Sequence, residues 1–231
     1  MSRILSQLNQ QFMPAFTAGK KGPTLDVWES LGNDALLGPG VANKRKAVQK
    51  LMQESYQDLI PFIDRCEMPF FLVPKIQKTG INGMVIKDHG GPGFSNLEQG
   101  VMYFEFAKLD SSIATFVLVH NALGTAVISA LGDEEQRKRL LGETINMDKI
   151  TCFGLTEPNN GSDATGLKTT ATKTEGGWLL NGEKRWIGNA TFADYICIWA
   201  KNPSDGNNIQ GFMVTKGTPG LTCAKIENKY S

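Results

Sequence analysis

Apolar positions recur at helical spacing from about Asn43: Val48, Leu51, Met52, Leu59, Phe62 and Ile63 share a face with Ser55, which predicts a helix. Residues 1–41 mix Gly, Pro and polar residues without a sustained period and read as an irregular segment, wrapped on the surface or partly disordered. A short helix is expected over Phe71–Thr79, and His89-Gly90-Gly91-Pro92-Gly93 is too rich in Gly and Pro for anything but a loop. Ser95 with Glu98 three residues on has capping-box spacing, opening a helix through Leu97, Val101, Phe104 and Phe106 to about Leu109. Asp110 or Ser111 caps the next, nearly all-apolar helix, and Gly132 stops it. Asp133-Glu134-Glu135-Gln136 begins another, with acids where a helix N-terminus favours them.

The period changes after about Asp148. Thr alternates through Lys168–Lys173, Glu175-Gly176-Gly177 turns, and Trp178–Leu180 returns. Asn181-Gly182 is a hairpin signal leading into Glu183–Ile187, and Tyr195–Ala200, Gly211–Lys216 and Leu221–Ile226 are further expected strands. The pattern gives an α+β chain: an irregular segment (1–41), a helical domain (42–149), then an antiparallel β-barrel or sandwich domain (150–231).

Composition changes this picture little. The 231 residues are 41% hydrophobic and 20% charged, enough for a sizeable core, and the net charge of +1 argues against general attraction to nucleic acid or anionic membrane. No apolar stretch is expected to reach the roughly 18–20 residues that span a bilayer. Cys66, Cys152, Cys197 and Cys223 are widely spaced without a C-x-x-C, which suits reduced thiols better than disulfides or zinc. The first 25 residues lack acids, carry Arg3, Lys20 and Lys21, and can place Ile4, Leu5, Leu8 and Phe12 on one helical face. That fits either an organelle presequence or an acid-poor tail; Lys229-Tyr230-Ser231 is not a Ser-Lys-Leu signal.

The candidate chemistry lies in two segments. Cys152–Asp163, CFGLTEPNNGSD, breaks from an apolar run into a tight turn that can aim N–H groups and hydroxyls at one anionic, planar-headed ligand. Lys184-Arg185-Trp186-Ile187-Gly188-Asn189 sets an aromatic beside small residues, and the pair suggests a flavin nucleotide site. Taken singly, Thr156 reads as a cap, Trp186 as a core residue and Asn159-Asn160-Gly161 as a connector.

Leu155-Thr156-Glu157-Pro158, Gly161-Ser162-Asp163, Asn181-Gly182-x-Lys184-x-Trp186 and Ala193-Asp194 stand in the order and spacing of the acyl-CoA dehydrogenase and oxidase superfamily, which the chain resembles from about residue 43 onward. Within it the chain looks most like glutaryl-CoA dehydrogenases and plant peroxisomal short-chain acyl-CoA oxidases; Thr115–His120 and Arg185–Asn189 look closest to the latter. The resemblance implies FAD-dependent α,β-desaturation of short-chain acyl-CoA. Phe153, Leu155 and Thr156 would line the flavin, and Gly161 and Ser162 would sit at the pyrophosphate, with Ser162 also facing the acyl-CoA. Trp186, Ile187 and Gly188 would cover the ring edge. It also implies a mitochondrial or peroxisomal matrix location.

Two departures qualify that likeness. Gly188 stands where many dehydrogenases of the family have Thr, which hints at altered flavin tuning or oxygen access. Ala114 stands where glutaryl-CoA dehydrogenases have an Arg, which disfavours a substrate with a distal carboxylate. The family's catalytic carboxylate comes from a C-terminal helical domain, so the chain is expected to be a truncated form, with an open sheet edge that calls for a partner chain. Glu157 and Asp163 are poor replacements for that base, His120 reads as a core or pocket residue, and His89 lies in the Gly-Pro loop. The alternative function is a non-catalytic FAD- or acyl-CoA-binding or subunit-interaction protein.

Overall fold

The computed structural model describes Trp28 and residues 31–229; the presequence-like positions and the last two residues lie outside them. Trp28 and residues 31–39 belong to one unit, in which Trp28 Nε1–H donates to Asp34 Oδ1 at 2.9 Å beside a 3-10 turn, Asn33–Leu36. Gly40 onward forms a second.

The second unit opens with α1 (Val41–Arg65), whose buried face is Val48, Leu51, Met52, Ser55 and Leu59. A 3-10 turn (Phe70–Leu72) runs into α2 (Val73–Gln77). The Ser95–Glu98 capping box opens α3 (Asn96–Ala107), and Asp110 caps α4 (Ser111–Leu118) through Ile113 N–H. The chain continues without a break as a π-helix (Val119–Thr125) and α5 (Ala126–Leu131). Asp133 caps α6 (Glu134–Ile145) in a capping box with Gln136. Arg45 of α1 and Glu105 of α3 form an ion pair at 2.6 Å with both side chains fully buried, and Lys108 joins Glu105 at 2.9 Å.

The run Ser111–Leu131 corrects one expectation. It is 21 residues long and apolar enough, by length and composition, to cross a membrane, but 56% of its most apolar stretch is buried inside the protein. His120, Asn121 and Thr125 lie within it, fully buried and hydrogen-bonded, as in the central helix of a core.

The sheet has five strands: β1 (Thr151–Gly154), β2 (Thr170–Thr174), β3 (Gly177–Asn181), β4 (Tyr195–Asn202) and β5 (Asn208–Thr215). It is mixed rather than wholly antiparallel. β4 pairs antiparallel with β5 along its whole length. Its other edge is shared in succession by β1, parallel at Tyr195–Ile198, and by β2, parallel at Lys201. The parallel pairs arise because the β2–β3 hairpin is inserted between β1 and β4, so the chain returns to β1 by a crossover. One face of the sheet, through Tyr195 and Met213, packs against a core of Ile86, Ile128, Leu140, Leu141 and Ile145, which fixes the helices to the strands.

Two expected strands are absent. The β2–β3 turn is at Glu175-Gly176, with Gly176 at φ +82°, and Asn181 is the last residue of the ladder, so Asn181-Gly182 is not a hairpin turn. A Cβ at Gly182 would sit 2.7 Å from Thr169 Cα, so the glycine serves a close backbone approach. Glu183–Ile187 then leaves the sheet instead of folding back on β3. Leu221–Ile226 is no strand either. Turns at Gly217 (φ +83°) and Gly220 (φ +84°), closed by Thr218 N–H to Thr215 O and Leu221 N–H to Thr218 O, swing the chain off β5.

Candidate functional site

The site is built where β1 ends. Beyond Gly154 the chain passes through Leu155 and Thr156 into a tight turn in which Glu157 and Asn160 exchange backbone hydrogen bonds at 3.0 and 3.3 Å. Glu157 is only 5% exposed, and its carboxylate gathers four donors. Lys168 N–H donates at 2.6 Å, Thr169 N–H at 2.9 Å, Thr169 Oγ1–H at 2.5 Å and Lys184 Nζ at 2.8 Å. Burial alone would raise its pKa; Lys184, Thr169 and the two backbone N–H groups overcome that and hold the carboxyl down at about 2. Asp163 caps a 3-10 turn (Ala164–Gly166), accepting from Gly166 N–H at 2.9 Å and Thr165 Oγ1–H at 3.1 Å. Both acids are therefore committed to holding the turn, and neither stands free to take a proton from a substrate.

Lys184 ties the second segment to the first. Its Nζ also donates to Leu155 O at 3.0 Å, and Arg185 N–H donates to Thr156 O at 2.8 Å. Further on, Asn189 Nδ2 donates to Thr151 O and to Phe116 O, each at 3.3 Å. Lys184–Asn189 thus runs back alongside Thr151–Thr156, joined at both ends. Between those anchors Trp186 (φ +62°) and Asn189 (φ +67°) adopt left-handed backbone, which a bulky aromatic accepts only when its surroundings impose it. Trp186 is 57% exposed, with the Arg185 guanidinium 5.0 Å from its ring centre.

The structure ties Leu155 and Thr156 to Lys184 and Arg185, next to Trp186 in sequence, and leaves Gly161 and Ser162 exposed on the neighbouring turn. A Cβ built at Gly161 would meet nothing within 4 Å. Among the described residues, no other group takes up the N–H of Gly161 or Ser162, or the hydroxyl of Thr156 or Ser162. Those donors fit an anionic, planar-headed ligand. Phe153 sits differently: it is in register with Cys197 and its ring lies 5.9 Å from that of Trp199. A cleft of about 2190 Å³ opens on the sheet face that carries Ile196, Ile198, Phe212 and Val214. Trp186, Ile187 and Gly188 line it, together with Ser111, Ser112, Phe116 and Val119; Phe153, Leu155, Thr156, Gly161 and Ser162 do not. Gly188 faces Val119, since a Cβ there would lie 3.2 Å from Val119 Cγ2.

Comparison with known proteins gives the family. The N-terminal domain profile of acyl-CoA dehydrogenases matches residues 25–148, and the middle-domain profile matches residues 152–231. The chain belongs to the acyl-CoA dehydrogenase superfamily. It is 37% identical over 166 residues to an acyl-CoA dehydrogenase of Bacillus subtilis (strain 168), covering 71% of this chain and 44% of that one. It is 33% identical over 180 residues to the mitochondrial short-chain specific acyl-CoA dehydrogenase of Mus musculus, covering 75% and 44%. A glutaryl-CoA dehydrogenase from Mycobacterium smegmatis, solved in complex with FADH2, superposes with a TM-score of 0.79 at 31% identity, covering 87% of this chain and 52% of that one. The chain therefore spans about half the length of these three relatives.

Three features of the site escaped the sequence reading: the four-donor nest around Glu157, the Asn189 bridge, and the partners of His120, which reads as a core residue and is one. The His120 ring is fully buried between the helices and β1; Nε2–H donates to Thr144 O at 2.8 Å, and Nδ1 accepts from Thr151 N–H at 3.1 Å. Burial pushes its pKa down to about 4, against a smaller upward pull from Thr144, so the ring is neutral. Its place in the apolar helix marks it as buried, but no local signal names its partners.

Proposed function

We propose that these residues form the flavin-binding part of an FAD-dependent acyl-CoA desaturating enzyme. Leu155 and Thr156 would hold the flavin ring, Gly161 and Ser162 the pyrophosphate, and Trp186, Ile187 and Gly188 the ring edge; Phe153 would back the ring from β1. One observation carries this reading: the open Gly161-Ser162 donors and the exposed Trp186 stand on two segments locked together by Lys184, Arg185 and Asn189. Bound FAD supplies a hydride acceptor for removal of the β-hydrogen of an acyl thioester. Since Glu157 and Asp163 are engaged, the base that removes the α-proton comes from elsewhere in the working enzyme.

Ala114 is buried and does not line the cleft; it stands where glutaryl-CoA dehydrogenases have an Arg, and on that resemblance the substrate is a short monocarboxylic acyl-CoA, with Ser162 toward its thioester arm. Gly188 offers no hydroxyl to the flavin, which favours an oxidase-type enzyme; hydrogen peroxide formed in step with enoyl-CoA in air would support that, and dependence on an added electron acceptor would refute it. For the flavin site itself, the test is titration of the 231-residue chain with FAD, followed by flavin fluorescence and visible absorption. Saturable binding that is weakened by Ser162→Ala and by Trp186→Ala supports the assignment. Binding indifferent to both substitutions removes it.

A further inference from the structure

The π-helix Val119–Thr125 makes more cross-contacts than its length suggests. A π turn has poorer backbone hydrogen-bond geometry than an α turn, and such segments persist where tertiary contacts hold them, often at functional sites. Here His120 and Thr125 meet Thr151, Asn121 Oδ1 accepts from Gly83 N–H at 2.9 Å, and Gly124 lies so close to Thr151 that a Cβ would sit 2.5 Å from Thr151 Cβ. One residue, Thr151, collects most of these contacts. Thr151 N–H donates to His120 Nδ1, Thr151 Oγ1 donates to His120 O at 3.0 Å, and Thr151 O accepts from Asn189 Nδ2. Asn189 ends the left-handed loop that carries Trp186, and Val119, one residue before His120, packs on Gly188 of that loop.

We propose that His120 is a positioning residue of the flavin site: through the backbone of Thr151 it fixes Asn189, and with it the Trp186–Asn189 loop, against the start of β1. The inference rests on the flavin reading of that loop, but the relay itself is a property of the polypeptide. The imidazole supplies one donor and one acceptor about 2 Å apart, pointing at Thr144 O and Thr151 N–H. A glutamine amide offers the same pair, and leucine offers neither.

The test uses the full chain with His120→Leu, His120→Gln and Asn189→Ala. Amide hydrogen exchange without FAD reports the relay, because Ala190, Phe192 and Ala193 N–H bond to the carbonyls of Ile187 and Asn189. His120→Leu is expected to speed exchange at those amides about tenfold or more. It is also expected to raise the Kd for FAD about tenfold, while His120→Gln restores both. If His120→Leu does not fold, Asn189→Ala cuts the same link from the loop side and is expected to give the same two changes. Unchanged exchange in folded variants overturns the relay whatever happens to FAD. Faster exchange in a chain that takes up no FAD supports the relay and counts against the flavin reading alone. Faster exchange with an unchanged Kd for FAD overturns the role of His120 in the flavin site.

Discussion

Glu157→Gln is the substitution whose cost the structure defines most closely. The carboxylate is 5% exposed, accepts four hydrogen bonds, and faces a Lys184 side chain that is itself only 10% exposed. Glutamine keeps the shape but removes the charge, and turns an amide N–H toward groups that are themselves donors. Leaving one partner of a buried ion pair uncompensated costs ~3–5 kcal/mol. Holding the carboxyl at about 2 instead of its ordinary 4.5 independently corresponds to about 3 kcal/mol at neutral pH. Because the folded-state value lies below the unfolded one, that stability is fully present above about pH 4.5 and is lost as pH falls toward 2. Urea unfolding at pH 7, followed by tryptophan fluorescence and circular dichroism, should therefore place the variant about 3 kcal/mol below the parent chain. The gap should close between pH 4.5 and 2. A difference under ~1 kcal/mol at pH 7, or one independent of pH, would show that the nest around Glu157 does not hold the turn.

His120 gives a second acid-sensitive window. Its folded-state pKa of about 4 lies below the ordinary 6.5, so its contribution is complete above pH 6.5 and is lost as pH falls to about 4. His120→Gln should flatten the dependence of Tm on pH across that window, and an unaltered slope would contradict the buried neutral ring. At the loop, Gly188→Thr forces a side chain against Val119 Cγ2 and should lower stability by about 1–2 kcal/mol. Adding Val119→Ala should return part of that loss in thermal unfolding, and strictly additive losses would mean that the two residues do not compete for the same space.

The residues that read correctly from sequence are those whose signals are local. Ser95 with Glu98, Asp110, Gly132 and Asp133 act within one turn of themselves, and each ends or opens a helix as expected. The order of helices before strands follows from the change of apolar period after Asp148. What failed was local chemistry overridden at a distance. Asn181-Gly182 has hairpin composition, but Thr169 crowds Gly182 while Lys184 and Arg185 are drawn to Leu155, Thr156 and Glu157, so the chain leaves the ladder. The alternating residues of Leu221–Ile226 are strand-like, yet two left-handed glycines, Gly217 and Gly220, turn the chain away from β5 before they are reached. Pairing direction is likewise invisible in a strand's own residues, and the parallel β1–β4 pair depends on where the crossover lands.

The candidate site divides along the same line. The motif residues could be named because their types and order carry the resemblance, whereas the groups that hold them in place sit far along the chain. Glu157 is 27 residues from Lys184, His120 is 31 from Thr151, and Asn189 is 38 from Thr151. A sequence pattern records what a ligand touches more readily than what keeps those residues still. Trp186 shows the consequence: its left-handed backbone is unfavourable alone, and it persists because Arg185 and Asn189 are tied on either side of it. The rigidity of the site is therefore a tertiary property of the helix–sheet junction. Substitutions there should loosen the Trp186–Asn189 loop before they disturb Leu155, Thr156, Gly161 or Ser162.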